Sequence, residues 1–201
     1  MVNAISKALP NLEIVYKDDK KHVPYGTRST EEIYNFVKPI FQKFISEGCE
    51  VIVVACNTVT TNLISRLRED FDIPLVGMEP AIKPAAEMTK TGVIAVCATP
   101  RTLTSARYSW LKEKYAQNTK VLEPDCSDWA LMIENNSVER DKVANRIEEA
   151  ISQKADVIVL GCTHYHWIED LIKHIAGGRA KVIQPKEPVI KQLKKVLEQL
   201  A

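Results

Sequence analysis

The sequence predicts an α/β protein made of two similar α/β domains with mostly parallel sheets. Short β-branched runs alternate along the 201 residues with amphipathic helical stretches, which is typical of parallel strands covered by helices. Two of these runs, EVIVVACNTVT and DVIVLGCTHYH, also repeat one pattern of acid, apolar run, small residue, cysteine and polar residues. The repeats lie roughly 100 residues apart, far beyond the period of a solenoid, and so indicate two domains that face each other.

Seven apolar runs are predicted to form buried strands, because they are rich in β-branched residues and short. In chain order they are LEIVYK, CEVIVVAC, IPLVGM, GVIAVCA, TKVLEP, ADVIVLGC and AKVIQP. Apolar residues at helical spacing predict the helices between them, which include EEIYNFVKPIFQKFISEG, TNLISRLREDF, TLTSARYSWLKEKY, SVERDKVANRIEEAISQK and PVIKQLKKVLEQL. We place the first domain at residues 1–79 plus 184–201 and the second at residues 80–183.

The composition narrows the class of protein. Apolar residues make up 45% of the chain and charged residues 26%, the balance of a protein with a packed core. The net charge of +1 gives no general attraction for phosphate backbones or anionic lipids, so we expect neither nucleic acid nor membrane as a partner. The chain has no apolar run of the roughly 18–20 residues that span a bilayer and no signal-peptide pattern, so we expect a cytoplasmic protein. Five cysteines without a CxxC pair favour reduced thiols over disulfides or a zinc site.

Cys56 and Cys162 occupy the same place in the two repeats. Each is expected at the carboxyl end of a buried strand and shortly before a helix, where α/β sheets bind ligands and free N–H groups favour an anion. A thiol acts as a base or nucleophile only as the thiolate, and a helix N-terminus lowers its pKa from about 8.5 towards neutrality. Cysteine is also common as a small buried residue in apolar strands, so one such site alone would mean little.

Two matching thiols in facing domains suit the inversion of a stereocentre without a cofactor. That reaction removes a proton from one face of a carbon and delivers another to the opposite face, so a base and an acid must flank the carbon. A cysteine hydrolase would instead need one thiol with a histidine that orients it. A redox pair would need thiols close enough to form a disulfide, which thiols on opposite sides of a substrate are not.

Three motifs carry a resemblance to a known family. ACNT at 55–58, GCTHY at 161–165 and VPYGTRS at 23–29 are similar to the signature motifs of bacterial glutamate racemases, and the resemblance covers nearly the whole chain. It implies a cofactor-independent isomerase that interconverts L- and D-glutamate for peptidoglycan synthesis, with no metal, pyridoxal phosphate or nucleotide. The implied catalytic residues are Cys56, Cys162 and His164, the implied substrate-binding residues are Tyr25, Gly26, Asn57, Thr58, Thr99, Thr102, Thr163 and His164, and LMIEN resembles the segment with an active-site glutamate, here Glu134.

The resemblance favours glutamate as the small-molecule partner, because aspartate racemases usually carry an acidic residue where this chain has His164. Racemisation of aspartate or another amino acid on the same scaffold is kept as an alternative. A second alternative is a catalytically silent relative that binds an amino acid or a partner protein in the cleft. The resemblance leaves a homodimer open.

The sequence departs from the family at its N-terminus. Family members open with an apolar strand and an Asp-Ser-Gly motif, and nothing of that kind precedes Val2. We therefore expect a gap in the first sheet and weakened or absent racemisation, because the resemblance implies that this aspartate assists the first cysteine. Outside the motifs we interpret two histidines as surface residues and three tryptophans as packing residues: His22, His166, Trp110, Trp129 and Trp167.

Overall fold

The structure is a computed structural model that describes residues 1–200, and it confirms the α/β class. Six strands are present: β1 Ile52–Val54, β2 Leu75–Gly77, β3 Val93–Cys97, β4 Lys120–Leu122, β5 Val157–Leu160 and β6 Lys181–Ile183. Ten α-helices surround them: α1 Val2–Ala8, α2 Thr30–Ser46, α3 Asn57–Asp70, α4 Ile82–Met88, α5 Pro100–Leu103, α6 Ala106–Tyr115, α7 Trp129–Glu134, α8 Arg140–Ser152, α9 Glu169–Ala176 and α10 Lys186–Leu200. Two short 3-10 helices lie at Tyr25–Thr27 and Thr163–Ile168.

The strands form two sheets in which every pair is parallel, as the alternation of strands and helices predicts. The first sheet contains β1 and β2, with Ile52 opposite Leu75. The second has the order β4-β3-β5-β6, and β3 pairs with β5 from Ile94 opposite Val157 to Cys97 opposite Leu160. Parallel strands place all their carboxyl ends at one edge of a sheet, so β1 and β5 present the residues that follow them at corresponding edges.

Side chains alternate between the two faces of each sheet, and each face packs into a different apolar cluster. In the second sheet, Cys97 and Leu160 face α7, α8 and α9, whereas Val96 and Val159 face α4 and α6. In the first sheet, β1 and β2 contribute Ile52, Val54 and Leu75 to a cluster with α2 and α3. Their other faces pack on α1 and α10, so the last helix returns to the first sheet. The domain bounds at residues 79/80 and 183/184 stay a prediction.

Two predicted elements are wrong in detail. LEIVYK does not form a strand, since residues 12–17 pair with no neighbouring strand, and Tyr16 is 61% exposed. TLTSARYSWLKEKY contains the end of one helix and all of another, because Ser105 accepts a hydrogen bond from the Tyr108 N–H and so caps a new helix, α6. Within residues 1–200, no helix combines the length and the apolar character needed to cross a membrane.

Candidate active site

Cys56 and Cys162 occupy equivalent positions in the backbone. Each is extended, with φ/ψ of −148°/119° and −143°/137°, and each is the N-cap residue of the helix that follows its strand. Cys56 precedes α3, and Cys162 precedes the 3-10 helix Thr163–Ile168 that leads into α9. The extended conformation ends the strand and turns each thiol out of the sheet beside the first N–H groups of a helix.

Both thiols line one open cavity of about 1590 Å³ between the two halves of the chain. Most of the residues singled out from the sequence lie on its wall: Tyr25, Gly26, Cys56, Asn57, Thr58, Thr99, Glu134, Cys162, Thr163 and His164. Thr102 is not on the wall, because it is fully buried behind Thr99. The cavity also extends away from the thiols, between α1, α2 and the outer edge of β1, where its lining is largely apolar.

The thiol pKa values move in the opposite direction from the one expected at a helix N-terminus. Burial raises the pKa of Cys162 to about 12, and the nearby Cys56 adds to the shift. Burial also raises the pKa of Cys56. In both cases two backbone N–H groups of the following helix oppose the shift, from Thr58 and Val59 at one thiol and from His164 and Tyr165 at the other. Desolvation of a charged sulfur outweighs these dipoles, so burial favours the protonated thiol at both positions.

On the Cys162 side, a chain of polar groups leads away from the sulfur. His164 Nδ1 lies 3.7 Å from Cys162 Sγ, and His164 Nε2 lies 2.6 Å from Glu134 Oε1 on α7. Tyr165 is held behind this chain by its hydrogen bond to the Cys126 carbonyl, 2.8 Å long, and by an edge contact with Trp129. The thiol therefore faces an imidazole whose far nitrogen is fixed by a carboxylate.

On the Cys56 side, the nearest polar groups are an amide and hydroxyls. Asn57 is only 1% exposed, and neither its Nδ2 nor its Oδ1 has a hydrogen-bond partner in the protein. Such a buried amide is costly unless a ligand or water pairs with it. Thr58, Thr99 and Thr102 form a buried triangle of hydroxyls with Oγ1 distances of 3.0, 3.1 and 3.3 Å, which joins α3 to the start of α5.

Tyr25 and Gly26 form the cavity wall between these two sides. A Cβ on Gly26 would lie 2.7 Å from Thr99 Cβ, so only glycine permits this close approach. The Tyr25 hydroxyl donates to Asp19 Oδ2 at 2.5 Å, and Asp19 also lines the cavity. Sequence reasoning missed Asp19, because in the run DDKK nothing distinguishes an inward-facing carboxylate from a solvated one.

Three residues outside the motifs differ from the interpretation made from sequence. His22 is not a free surface residue, since its Nδ1 lies 2.7 Å from Asp19 Oδ1 and its ring stacks on Phe36. His166 lines the cavity, and both its ring nitrogens are shielded from solvent without a partner. Trp167 packs on little, being 83% exposed at the cavity mouth. Among residues 1–200, no cluster of three or more His, Cys, Asp or Glu side chains is arranged to hold a metal ion.

Comparisons with known proteins agree with the motifs. Residues 1–192 match the sequence profile of the Asp/Glu/Hydantoin racemase family. A glutamate racemase of Clostridium perfringens (strain SM101 / Type A) is 36% identical over 206 residues, covering 98% of this chain and 79% of that protein.

Two solved structures show the same fold. The crystal structure of Escherichia coli glutamate racemase in complex with L-glutamate and the activator UDP-MurNAc-ala superposes with a TM-score of 0.88 at 27% identity, over 98% of this chain and 77% of that one. The glutamate racemase of Francisella tularensis subsp. tularensis SCHU S4 in complex with D-glutamate gives a TM-score of 0.79 at 28% identity, over 98% of this chain and 75% of that one.

Proposed function

The chain is an amino-acid racemase that belongs to the Asp/Glu/Hydantoin racemase family, and we propose that it interconverts L- and D-glutamate by proton transfer between two thiols. One observation carries the mechanism: Cys56 and Cys162 line a single cavity from the carboxyl ends of strands in two different sheets. An amino acid held between them would have one thiol on each face of its α-carbon.

The proposed step conserves protons. When Cys162 is the base, its proton passes to His164 and the resulting thiolate removes the α-proton from one face. The electron pair left on the carbon is delocalised into the α-carboxylate. The other cysteine, as the thiol, delivers its proton to the opposite face and becomes the thiolate. The enzyme that has made one enantiomer is therefore in the protonation state that the reverse reaction requires.

The donors around the thiols fit a substrate with carboxylates. The Asn57 amide has no protein partner, Thr58 and Thr163 line the same cavity, and two backbone N–H groups lie beside each cysteine sulfur. Such donors stabilise the negative charge that grows on a carboxylate as the α-proton leaves. We propose that they bind the α-carboxylate, and that Tyr25, Gly26 and Thr99 face the rest of the substrate. Thr102 supports Thr99 and Thr58 from behind.

His164 and Glu134 give the Cys162 thiol a route for its proton. An imidazole nitrogen 3.7 Å from the sulfur is placed to accept the thiol proton, and the carboxylate 2.6 Å from the other ring nitrogen holds the imidazole in this orientation. Burial raises the pKa of Cys162 to about 12, so the thiol needs a neighbouring base to take its proton during the reaction. We propose His164 as a catalytic residue and Glu134 as the residue that orients it.

The wider role follows from the family resemblance. We propose that the D-glutamate is used for peptidoglycan synthesis in the cytoplasm, with free glutamate as the small-molecule partner and no cofactor. A homodimer stays a prediction.

The direct test is α-proton exchange. The protein is incubated with L-glutamate in deuterated water, loss of the α-proton signal is followed by NMR, and D-glutamate is detected with a chiral column. We expect exchange together with inversion. Exchange with aspartate in place of glutamate would favour the alternative substrate. Glutamate binding without any exchange at high protein concentration would favour the silent binding protein and overturn the proposal.

A further inference from the structure

Asp19 connects the residues of one segment of the cavity wall, residues 19–25, through its side chain. Its carboxylate, with the side chain 11% exposed, accepts a hydrogen bond from the Tyr25 hydroxyl at 2.5 Å and lies 2.7 and 3.0 Å from His22 Nδ1. His22 and Tyr25 lie three and six residues after Asp19 in the chain. The Asp19 carboxylate therefore contacts both ends of the short turn formed by residues 22–25. Charged groups this well buried are normally paired or functional.

The rest of the segment is fixed from both sides. The His22 ring stacks on Phe36 of α2 with centroids 3.9 Å apart and planes at 3°, and Arg28 Nε donates to the His22 carbonyl at 2.7 Å. Arg101 Nε, at the start of α5, donates to the Arg28 carbonyl at 2.9 Å. The segment 19–28 is thus anchored to α2 on one side and to the half of the chain that carries Cys162 on the other.

The part of the segment that meets the cavity is Tyr25 and Gly26. Gly26 packs directly on Thr99, and the Tyr25 side chain is buried, with its hydroxyl satisfied by Asp19. Burial and the bond to Asp19 both raise the pKa of Tyr25, so the phenol remains protonated and is not a base in the reaction. Its bond to Asp19 fixes geometry and transfers no proton.

We infer that Asp19, braced by His22, is a positioning residue that holds the Tyr25–Gly26 wall against Thr99 and so sets the affinity of the cleft for its amino acid. The inference rests on the proposed function, since the ligand is taken to be glutamate. Removal of the carboxylate leaves a buried phenol without an acceptor and frees the wall to move. Substrate affinity then falls, while Cys56, Cys162 and the His164–Glu134 pair stay in place.

The test separates binding from turnover. In a Cys56→Ser/Cys162→Ser background, which lacks both proton-transfer thiols, L-glutamate is titrated by calorimetry. We expect Asp19→Ala to weaken binding about tenfold and Asp19→Asn, which keeps an oxygen acceptor for Tyr25, to stay within about threefold of the parent. Asp18→Ala is the matched control, because Asp18 also lines the open cavity but its exposed carboxylate pairs with Lys20 and not with Tyr25, so its removal should leave the affinity unchanged.

A second set of variants tests whether Asp19 acts through Tyr25. Tyr25→Phe keeps the ring and removes the donor, so it should weaken binding about as much as Asp19→Ala, and the double variant should be little worse than either single one. With both native thiols restored, Asp19→Ala should raise KM about tenfold and change kcat by less than about threefold. If Asp19→Ala does not fold, as judged by circular dichroism, Tyr25→Phe carries the test alone.

The outcomes distinguish a failure of the role inferred for Asp19 from a failure of the proposed glutamate substrate. A parent that does not bind L-glutamate contradicts the proposed substrate. A parent that binds, with Asp19→Ala or Tyr25→Phe at the same affinity, overturns the role of Asp19 and leaves the proposed function standing. Equal losses in Asp19→Ala and Asp18→Ala would also overturn it.

Discussion

The Cys56 side and the Cys162 side of the cleft share a backbone and differ in their acid–base surroundings. Both cysteines follow a strand by two residues in an extended conformation, are the N-cap of a helix and have two N–H groups of that helix beside the sulfur. Only Cys162 faces an imidazole and, beyond it, a carboxylate. The side chains that act on Cys56 are the hydroxyl of Thr58 and, by its charge interaction, the phenol of Tyr25.

This difference shows that an internal repeat can specify the same backbone at two sites without specifying the same neighbouring side chains. The repeated pattern specifies a strand, a thiol and a helix start, so the two backbones match. The partner of His164 comes from α7, which lies outside the repeat, and Asp19 enters the Cys56 side from a segment with no counterpart near Cys162. Two equivalent thiols can therefore have different routes for their protons.

The largest effect should come from removing either thiol. Cys56→Ala and Cys162→Ala should each lower racemisation at least about 10³-fold, because one face of the α-carbon then has no acid or base. Each variant should still exchange the α-proton of one enantiomer in deuterated water, and the two variants should choose opposite enantiomers. NMR of each pure enantiomer measures this, with Cys49→Ala as the control. Equal exchange of both enantiomers by one variant would contradict the assignment of one thiol to each face.

The next effect tests whether the two sides differ in their proton routes. His164→Asn should lower kcat about 100-fold and Glu134→Gln about tenfold, since the first removes the group next to the thiol and the second only its orientation. Circular dichroism assays of both directions give kcat and KM. Glu139→Gln, an exposed change that meets Lys142 rather than His164, is the control. Unchanged kcat in His164→Asn would mean that the Cys162 side works like the Cys56 side.

A third prediction concerns the pH dependence of stability, to which a histidine on each side of the cleft is relevant. His22 has Asp19 as a partner, whereas burial and the charge of Lys186 lower the pKa of His166 to about 4. The unfolded chain binds this proton near pH 6.5, so the contribution of neutral His166 is present above that pH and is lost as the pH falls towards 4. The shift corresponds to about 2 kcal/mol after allowance for its partial exposure.

Urea unfolding at pH 7 and at pH 4.5 measures this contribution. The free energy of unfolding of the parent should fall between pH 7 and pH 4.5. In His166→Gln this fall should be smaller by about 2 kcal/mol. His174→Gln, an exposed histidine of α9, should behave as the parent does. Identical pH dependence in the parent and His166→Gln would contradict the predicted effect.

The smallest effect concerns the residue before each thiol, which is Ala55 on one side and Gly161 on the other. A Cβ at Gly161 would lie 2.9 Å from Ala98 Cβ and 3.3 Å from the Cys97 carbonyl oxygen. Gly161→Ala, which makes the two sides alike, should therefore cost about 1–2 kcal/mol in the free energy of unfolding. Ala98→Gly should recover part of the loss in the double variant, measured by urea unfolding. No recovery would place the strain at the Cys97 carbonyl.

Much of the fold could be predicted because its signals are local. Six of the seven predicted strands are present, since a run of β-branched residues such as VIVL is short, apolar and bounded by turns. LEIVYK has the same composition, yet it pairs with no strand in the structure, and pairing is a property of the neighbour as much as of the run. The break between α5 and α6 depends on one serine that caps a helix, a signal that also occurs inside longer helices.

The sequence by itself determined the α/β class, the two matched thiols and the family, because these depend on residue type and spacing along the chain. Only the tertiary structure decided that Glu134 meets His164, that Asp19 holds Tyr25, that Thr102 lies behind the wall and that both thiol pKa values rise. The reason is that burial and charge pairing come from residues that are distant in the chain. A helix N-terminus is visible in a sequence, whereas the depth at which its first residue is desolvated is set by every element packed around it.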